Sequence, residues 1–153
     1  MPGEAAKERT LVLVKPDGVR RGLMGEVLSR YERRGLKVVA AKLMQIPKDL
    51  AEKHYEEHKA KPFFPELVKF ITSAPVLALA VEGRNAVAVV RAMNGATKPW
   101  ESAPGTIRGD LALALTPNVV HASDSVPTAQ RELPLYFSEK EYVSYHRVDE
   151  DYF

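Results

Sequence analysis

The side chain best placed for chemistry is His121, which lies in the segment Asn118–Ser125 (NVVHASDS). This segment passes from the end of a loop, through the short predicted strand Val119–Ser123, to the start of a helix. Side chains alternate between the two faces of a strand, so His121 and Ser123 share one face. The helix that begins after Ser125 has unpaired N–H groups and a partial positive charge at its N-terminus, which favour an anion. The pattern therefore indicates an imidazole beside a possible anion site.

Two other interpretations of His121 stay open from the pattern alone. A histidine at a strand end, beside hydroxyl and carboxylate groups, is equally compatible with a core or turn position. A Ser-His-Asp hydrolase would use Ser123 and Asp124. Those residues almost adjoin the histidine, however, and the chain has no G-x-S-x-G segment to expose a serine nucleophile. The hydrolase interpretation is therefore disfavoured.

A second pair of histidines has the spacing of a metal site. His54–His58 (HYEEH) matches the H-x-x-E-H pattern of inverted zinc peptidases, and the four-residue spacing puts both imidazoles on one helix face. Such a site needs a third ligand and an apolar helix around it, whereas the predicted helix Asp49–His58 is charged throughout. A solvated helix face is the preferred interpretation, and no protein ligand to a metal is predicted.

Three basic residues next to predicted loops form a candidate phosphate clamp. Lys15 follows a strand, Arg91 ends a helix, and Arg108 lies in a loop rich in glycine and proline. A triphosphate carries several negative charges, so its pocket needs several cations and N–H donors. The chain has neither a G-x-x-x-x-G-K-[ST] loop nor a G-x-G-x-x-G segment. Surface solvation would explain any one of these basic residues singly. If phosphate binds here, side chains would supply much of the binding.

The composition is that of an ordinary globular domain. The 153 residues fit a single domain, 1–153, and 45% hydrophobic with 27% charged residues argue against disorder. A formal net charge of +2 gives no indication of a nucleic-acid or membrane partner. Met1–Arg9 has no signal-peptide core, and no apolar run of about 18 residues could span a membrane. Without cysteine there is no disulfide, and a cytoplasmic protein is expected.

The elements that must position these residues alternate between strands and helices. The predicted strands are Thr10–Val14, Val38–Ile46, Val76–Val81 (the candidate central strand) and Val119–Ser123. The first three predicted helices are Leu23 to Tyr31, with Gly35 at the C-cap, then Asp49–His58 and Phe64–Ile71. Two more begin at N-caps: one runs from Asn85 to Met93, and the other from Ser125 to near Pro134. A last short helix is predicted after the capping box Ser138–Glu141. Lys15–Gly18 is a predicted turn, and residues 96–118 are a predicted long loop. This order fits either a ferredoxin-like split βαβ or a small doubly wound sheet.

Several separated segments resemble the motifs of nucleoside diphosphate kinases. Asn118–Ser125 is similar to the active-site signature N-x-x-H-[GA]-S-D-S of that family. The other matching segments are Val14–Gly18, His54–Tyr55, Lys61–Phe64, Arg91–Thr97 and Pro104–Asp110. They occur in the family's order, and the likeness extends from about Thr10 to beyond Tyr145. Ala122 stands where glycine is commoner and Lys98 where asparagine is frequent, and neither departure removes a reacting group.

The resemblance implies an α/β fold, an α+β sandwich of the ferredoxin-like split βαβ type. Its four-stranded antiparallel sheet would be covered by helices and carry a long Pro/Gly loop. It also implies a ping-pong reaction, in which His121 takes the γ-phosphate of a nucleoside triphosphate and passes it to a diphosphate. Glu132 would orient the imidazole, and Ser123 would hold Glu132. A non-catalytic nucleotide-sensing or scaffold member is the rival, and the intact set of these residues weighs against it.

The resemblance also implies a nucleotide pocket. Lys15 would bind phosphate and ribose, and Asn118 would help at the sugar. The phosphates would be held by Tyr55, Arg91, Thr97 and Arg108, and the base would stack on Phe63 beside Leu67. Mg²⁺ would arrive on the nucleotide, held by phosphate oxygens and waters. The expected partners are nucleoside di- and triphosphates and further copies of the chain, as a hexamer suggested by the Pro99 loop and the tail beyond Tyr145, with no membrane and no nucleic acid required.

Overall fold

The computed structural model describes residues 7–153. The expectation that the N-terminus has no signal-peptide core falls partly on residues 1–6, which lie outside the described residues. Four strands form one sheet: β1 (Lys7–Val14), β2 (Lys37–Met44), β3 (Val76–Arg84) and β4 (Val120–Ala122). Their order is β2-β3-β1-β4 and every pairing is antiparallel. This confirms the ferredoxin-like split βαβ arrangement and excludes the doubly wound parallel sheet.

Seven α-helices accompany the sheet in the described part of the chain. They are α1 (Pro16–Arg20), α2 (Met24–Arg33), α3 (Lys48–His54), α4 (Phe64–Ile71), α5 (Ala86–Asn94), α6 (Ile107–Leu111) and α7 (Val126–Tyr136). Short 3₁₀ turns occupy Glu56–His58, Pro99–Glu101, Glu139–Glu141 and Glu150–Tyr152. None of these helices has both the length and the apolar content that a membrane crossing requires.

Strand β1 is the centre of the core because it is buried on both faces. Leu11 and Leu13 pack on one side, in a cluster with residues of α3, α4 and α7. Val12 and Val14 pack on the other side, in a cluster with residues of α2 and α5. All four side chains are inaccessible to solvent, which explains why this strand reads as a continuous apolar run. The sheet is thus sandwiched between two layers of helices.

Two predicted elements differ from the structure close to the site. The predicted turn Lys15–Gly18 forms part of α1, which begins at Pro16. Proline is favourable at the first helical position because the N–H group that it lacks would have no partner within the helix there. The predicted helix Asp49–His58 breaks after His54. The backbone of Tyr55 leaves helical angles (φ −98°, ψ 20°), and its side chain packs against the core. Tertiary packing therefore overrides the local helical pattern here.

The predicted loop over residues 96–118 also contains more structure than expected. It includes a 3₁₀ turn and α6, whose N-cap Thr106 accepts a hydrogen bond from the Gly109 amide through its side chain. Gly109 is required there, because a Cβ at this position would lie 2.0 Å from the Ala103 carbonyl oxygen. The rest of the segment, including the stretch that leads into β4, is irregular as predicted.

Helix caps were predicted with mixed success. Ser125 caps α7 by accepting a hydrogen bond from the Thr128 amide, and Ser138 forms the predicted capping box. Asn85 occupies the N-cap of α5 but makes no capping bond; it has a left-handed backbone (φ 53°), which asparagine tolerates. Helix α7 continues through Pro134 to Tyr136, because Tyr136 is buried and anchors the last turn.

Candidate active site

Strand β4 places His121 on the face of the sheet that is covered by α3 and α7. The strand pairs with β1 so that His121 lies opposite Leu13. Its neighbours Val120 and Ala122 are buried on the other face, whereas the side chain of His121 keeps 24% of its surface exposed. The alternation inferred from the sequence is confirmed, since His121 and Ser123 both reach the same carboxylate, that of Glu132.

Glu132 enters this cluster from α7 and fixes the orientation of the imidazole. Its Oε1 lies 3.2 Å from Nε2 of His121 and accepts a hydrogen bond of 2.7 Å from the hydroxyl of Ser123. Burial by itself would raise the pKa of Glu132. The hydrogen bond and charge of His121, with smaller contributions from His54 and Ser123, outweigh burial and lower that pKa to about 2. A carboxylate can only accept, so Nε2 of His121 carries the proton and Nδ1 keeps its lone pair.

Lys15 is buried at the end of β1, where it joins the first strand to the loop before β4. Its Nζ donates to the Thr116 carbonyl at 2.7 Å and to Oδ1 of Asn118 at 2.8 Å. Burial outweighs the opposing charge of Asp17 and, with a smaller contribution from the charge of Arg108, lowers the pKa of Lys15 to about 8. Near neutral pH the ammonium group is still mostly charged, and an anion beside it would be stabilised.

The backbone between Asn118 and β4 is strained. Val119 adopts φ 74°, a left-handed conformation that is costly for a β-branched side chain. Its N–H donates to the Asp17 carboxylate at 3.0 Å, and its carbonyl accepts from the Lys15 amide at 2.8 Å. Strain of this kind persists only where surrounding contacts over-determine the conformation, which is typical of functional sites.

Arg108 is a buried cation that ties the long loop to β4. Its guanidinium donates to the Gly95 carbonyl at 3.0 Å, the Asn118 carbonyl at 3.3 Å and the Val120 carbonyl at 2.6 Å. Burial lowers the pKa of Arg108 to about 10, and the charge of Arg91 acts in the same direction. Three of its five N–H groups are thus used, and two remain for another acceptor.

Comparison with known proteins assigns this arrangement to a family. The family model for nucleoside diphosphate kinase matches residues 8–142. A nucleoside diphosphate kinase of Archaeoglobus fulgidus is 59% identical over 145 residues, which cover 95% of this chain and 96% of that protein. A relative of the same name from Pyrococcus abyssi is 57% identical over 153 residues, covering 98% of this chain and 96% of its own length. The chain belongs to the nucleoside diphosphate kinase family.

Solved structures agree with this assignment. A nucleoside diphosphate kinase from Halobacterium salinarum in complex with CDP superposes with a TM-score of 0.94 at 47% identity, covering 96% of this chain and 98% of that one. A transition-state mimic of the Borrelia burgdorferi enzyme with bound vanadate and ADP gives 0.91 at 43% identity, over 94% and 95% of the two chains. The activity is therefore that of a phosphotransferase, the transfer of the γ-phosphate from a nucleoside triphosphate to a nucleoside diphosphate.

Most of the residues that the sequence assigns to a nucleoside diphosphate kinase site are linked by direct contacts. Asn118 donates to the Thr97 carbonyl at 3.0 Å while it accepts from Lys15. Arg91 donates to the Ala122 carbonyl at 3.2 Å. These contacts connect the predicted phosphate and ribose residues to the backbone that carries His121.

The residues expected to grip the base lie on a separate element. Phe63 immediately precedes α4 and is 47% exposed, and Leu67 follows it one turn later, half-buried. The ring of Phe63 contacts the ring of His58, with centroids 5.6 Å apart. Tyr55 contacts the buried group around His121, since its ring lies against the ring of His54 with centroids 4.7 Å apart. Burial raises the pKa of Tyr55 to about 12, so it remains a neutral phenol that can donate.

The interpretation of His54 as part of a solvated helix face is wrong, although the segment His54–Tyr55 does resemble a family motif. His54 is 3% exposed, and its ring contacts that of His121 with centroids 4.5 Å apart. The spacing of Leu50, Ala51 and His54 on one side of α3 is the signal that identifies this buried face, since Ala51 is also buried.

The inverted zinc-peptidase pattern receives no support from the geometry. His54 ends α3, whereas His58 lies in the following 3₁₀ turn. Within residues 7–153, the group of ligand-type side chains whose donor atoms all lie within 4.8 Å of one another is His54, His121 and Glu132, without His58. Two members of that group already share a hydrogen bond, so the arrangement is described more simply as a polar network around the imidazole.

Proposed function

We propose that phosphate passes through His121 and that Nδ1 is the nucleophile. The lone pair on Nδ1 attacks the γ-phosphorus, an N–P bond forms, and the bond from the γ-phosphorus to the β–γ bridging oxygen breaks. The nucleoside diphosphate then leaves. The observation that carries this assignment is the 3.2 Å contact between Nε2 and Glu132, which leaves Nδ1 as the free nitrogen. In the second half-reaction, a terminal β-phosphate oxygen of another diphosphate attacks the phosphorus and the N–P bond breaks.

Glu132 supports this chemistry by stabilising charge. The imidazole gains positive charge as the N–P bond forms, and the proton on Nε2 stays between the ring and the carboxylate. Because the pKa of Glu132 is lowered to about 2, the carboxylate is ionised whenever the enzyme works. Ser123 keeps Oε1 in place through its 2.7 Å hydrogen bond. Positioning and charge stabilisation are the main requirements of phosphoryl transfer.

The phosphate clamp consists of cations and donors around the loop before β4. Lys15 and the two unused N–H groups of Arg108 are buried donors with few competing water contacts, which strengthens their interaction with phosphate. The other phosphate ligands are Tyr55, Arg91 and Thr97, and Asn118 would assist Lys15 at the ribose. The relatives from Halobacterium salinarum and Borrelia burgdorferi that hold CDP and ADP support a nucleotide in this pocket.

The base would lie against the exposed ring of Phe63, with Leu67 beside it. Stacking accepts any base, so ATP, GTP, CTP and UTP should differ only modestly in kcat/KM. The relatives support this tolerance, since one holds a pyrimidine nucleotide and the other a purine nucleotide. Discrimination approaching 10⁴-fold would require hydrogen bonds to base edges, and would contradict stacking as the means of recognition.

Mg²⁺ would be supplied with the nucleotide, held by phosphate oxygens and water. The ligand-type group in the described residues contains two imidazoles, and nitrogen ligands suit Zn²⁺ better than Mg²⁺, which prefers oxygen. The ion would add charge neutralisation between the phosphates. The working protein would be a cytoplasmic hexamer that acts on free nucleotides and needs neither membrane nor nucleic acid.

The test is to incubate the protein with ATP labelled on the γ-phosphate and then analyse the protein. The expected label is labile to acid, stable to base, and released by any nucleoside diphosphate. His121→Ala should abolish labelling, whereas the control His146→Ala, at an exposed histidine in the tail, should retain it. Label that survives His121→Ala, or that maps to Ser123, would overturn the mechanism. A correctly folded parent protein that takes no label would favour the scaffold alternative.

A further inference from the structure

One nitrogen of the buried imidazole of His54 is not satisfied by any hydrogen bond. Nδ1 lies 3.0 Å from the hydroxyl of Tyr136, but Nε2 has no hydrogen-bond partner and lies 3.6 Å from Oε2 of Glu132. A buried polar group without a partner lowers the stability of a fold, so its presence needs an explanation. The position of Nε2, aimed at the carboxylate that holds the nucleophile, supplies one.

The surroundings of His54 define which of its nitrogens carries the proton. Burial raises the pKa of Tyr136, and the charges of Tyr55 and Glu132 act in the same direction, so Tyr136 remains a phenol that can donate to Nδ1. An Nε2 lone pair facing a carboxylate oxygen would be repelled, whereas an Nε2–H group is attracted to it. Both neighbours therefore favour one tautomer, with Nδ1 accepting from Tyr136 and Nε2–H directed at Glu132.

His54 stays uncharged beside the nucleophile. Burial lowers its pKa to about 3, assisted by the charge of His121, while Glu132 acts in the opposite direction. A second positive charge next to His121 would oppose the charge that develops there during phosphoryl transfer. A neutral imidazole avoids this conflict and still offers an N–H dipole to the carboxylate. The edge contact between the two rings, 4.5 Å between centroids, also restricts rotation of His121.

We propose that His54, held in a single tautomer by Tyr136, is a positioning residue that orients both Glu132 and His121 for phosphoryl transfer. Its Nε2–H attracts Oε2 of the carboxylate, so that Oε1 is presented to His121, and its ring edge fixes the plane of the nucleophilic imidazole. This inference rests on the proposed function, because it assumes that His121 takes the phosphate. It predicts that loss of His54 slows chemistry without weakening nucleotide binding.

The experiment measures single-turnover phosphorylation of the enzyme over a range of ATP concentrations. His54→Leu should slow the maximal rate roughly 10–100-fold, the usual cost of losing an orienting partner, with the half-saturating ATP concentration unchanged. His54→Gln places an amide N–H near the original Nε2 and should recover much of the loss. Tyr136→Phe, which keeps the ring but removes the donor to Nδ1, should lose part of the rate in the same way.

Ala51→Gly is the matched control for general destabilisation. Ala51 is buried on the same helix, and glycine there should lower the melting temperature with little effect on the maximal rate. Nitrogen-15 NMR of labelled histidines gives a second readout, since the His54 signals should show an acceptor Nδ1 and a protonated Nε2. If His54→Leu does not fold, His54→Gln, Tyr136→Phe and the NMR signals still decide the question.

Distinct results separate the failure of this inference from the failure of the proposed function. The inference is overturned by a parental maximal rate in His54→Leu or Tyr136→Phe, by the opposite tautomer, or by rate losses that Ala51→Gly reproduces. Label that persists in His121→Ala overturns the proposed function instead. Loss of label in His121→Ala together with a parental rate in His54→Leu would leave the nucleophile in place and remove only the role of His54.

Discussion

Arg91 and Arg108 bind the two backbone carbonyl groups that flank His121, the proposed nucleophile. Arg91 donates to the Ala122 carbonyl at 3.2 Å, and Arg108 donates to the Val120 carbonyl at 2.6 Å. The two cations assigned to phosphate binding therefore also hold the strand that carries His121. Charge and geometry at the site are coupled, because loss of either arginine would change both.

Arg108→Ala should damage catalysis and stability together. Removal of one preorganised donor typically costs roughly 10²–10³-fold in rate, and we expect a loss of that size in kcat/KM. The carbonyls of Gly95, Asn118 and Val120 would also lose their donor, which lowers the free energy of unfolding. Steady-state kinetics and urea denaturation measure the two effects.

The matched control for Arg108 is Arg21→Ala. Arg21 also donates to a backbone carbonyl, that of Leu111, but it is exposed and outside the candidate site. We expect kinetics close to the parent for this variant. A loss in Arg108→Ala below about threefold would remove Arg108 from the phosphate clamp, since it falls far short of the usual cost of a lost donor.

Lys15 should give the enzyme an alkaline limit. Its pKa is lowered to about 8, so the free enzyme loses the ammonium charge as the pH rises through this value, and kcat/KM for ATP should fall. Bound phosphate favours the charged lysine, so kcat should fall only at higher pH. Lys15→Met should have low activity, and its kcat/KM should not fall in this way as the pH rises. A parent profile that is flat between about pH 7 and 9 would contradict this role for Lys15.

His54 should make the fold sensitive to acid. In the native protein its pKa is lowered to about 3, whereas in the unfolded chain it is near 6.5. Between these two pH values, the unfolded chain binds a proton that the native chain does not. Stability should therefore decrease as the pH falls through this window. Glu132, with its pKa lowered to about 2, adds a loss of the same sign below about pH 4.5.

Urea denaturation across the pH range measures this effect. His54→Gln cannot titrate, so its stability should change less between about pH 6.5 and 5 than that of the parent. Ala51→Gly, destabilised on the same helix, should keep the parental slope. Equal slopes in the parent and His54→Gln would show that His54 does not remain neutral in the native protein.

The sequence predicted those parts of the site that depend on local periodicity. The shared face of His121 and Ser123 follows from the alternation of a strand, and the cap at Ser125 from its residue type. The spacing of Leu50, Ala51 and His54 indicates a buried side of α3, but the partner of His54 does not follow from local periodicity. That partner, Tyr136, lies 82 residues away in sequence. The many charged residues of α3 also favoured the interpretation of the whole helix as solvent-exposed.

The left-handed backbone of Val119 was equally inaccessible to sequence reasoning. Valine disfavours such angles, and the conformation depends on the Asp17 carboxylate, which lies 102 residues away in sequence. The same applies to Arg108, for which the pattern suggested a phosphate ligand but not its three carbonyl partners. Functional sites are where local preference and tertiary demands disagree most.

Assembly is the remaining prediction, and the single chain leaves apolar surface to bury. Trp100, Leu113 and Leu115 are each more than half exposed, and all three lie in the long loop that also carries Arg108. Loop residues of this kind are typical of an interface between subunits. In the tail, the hydroxyl of Tyr145 donates to the Val38 carbonyl of its own chain, whereas Val148 and Tyr152 remain largely exposed.

We therefore expect a hexamer built through the loop and the tail, with a mass of about 100 kDa for six copies of a 17.0 kDa chain. Pro99 is buried at the start of the 3₁₀ turn that presents Trp100, so Pro99→Ser should loosen the turn and lower the melting temperature more than the activity of the intact enzyme. Pro104→Ser, at an exposed proline of the same loop, is the matched control and should melt close to the parent.

Light scattering measures the mass, and a monomer at micromolar concentration would refute the assembly while leaving the kinase activity untouched. A stable tetramer would show instead that the loop forms a different interface.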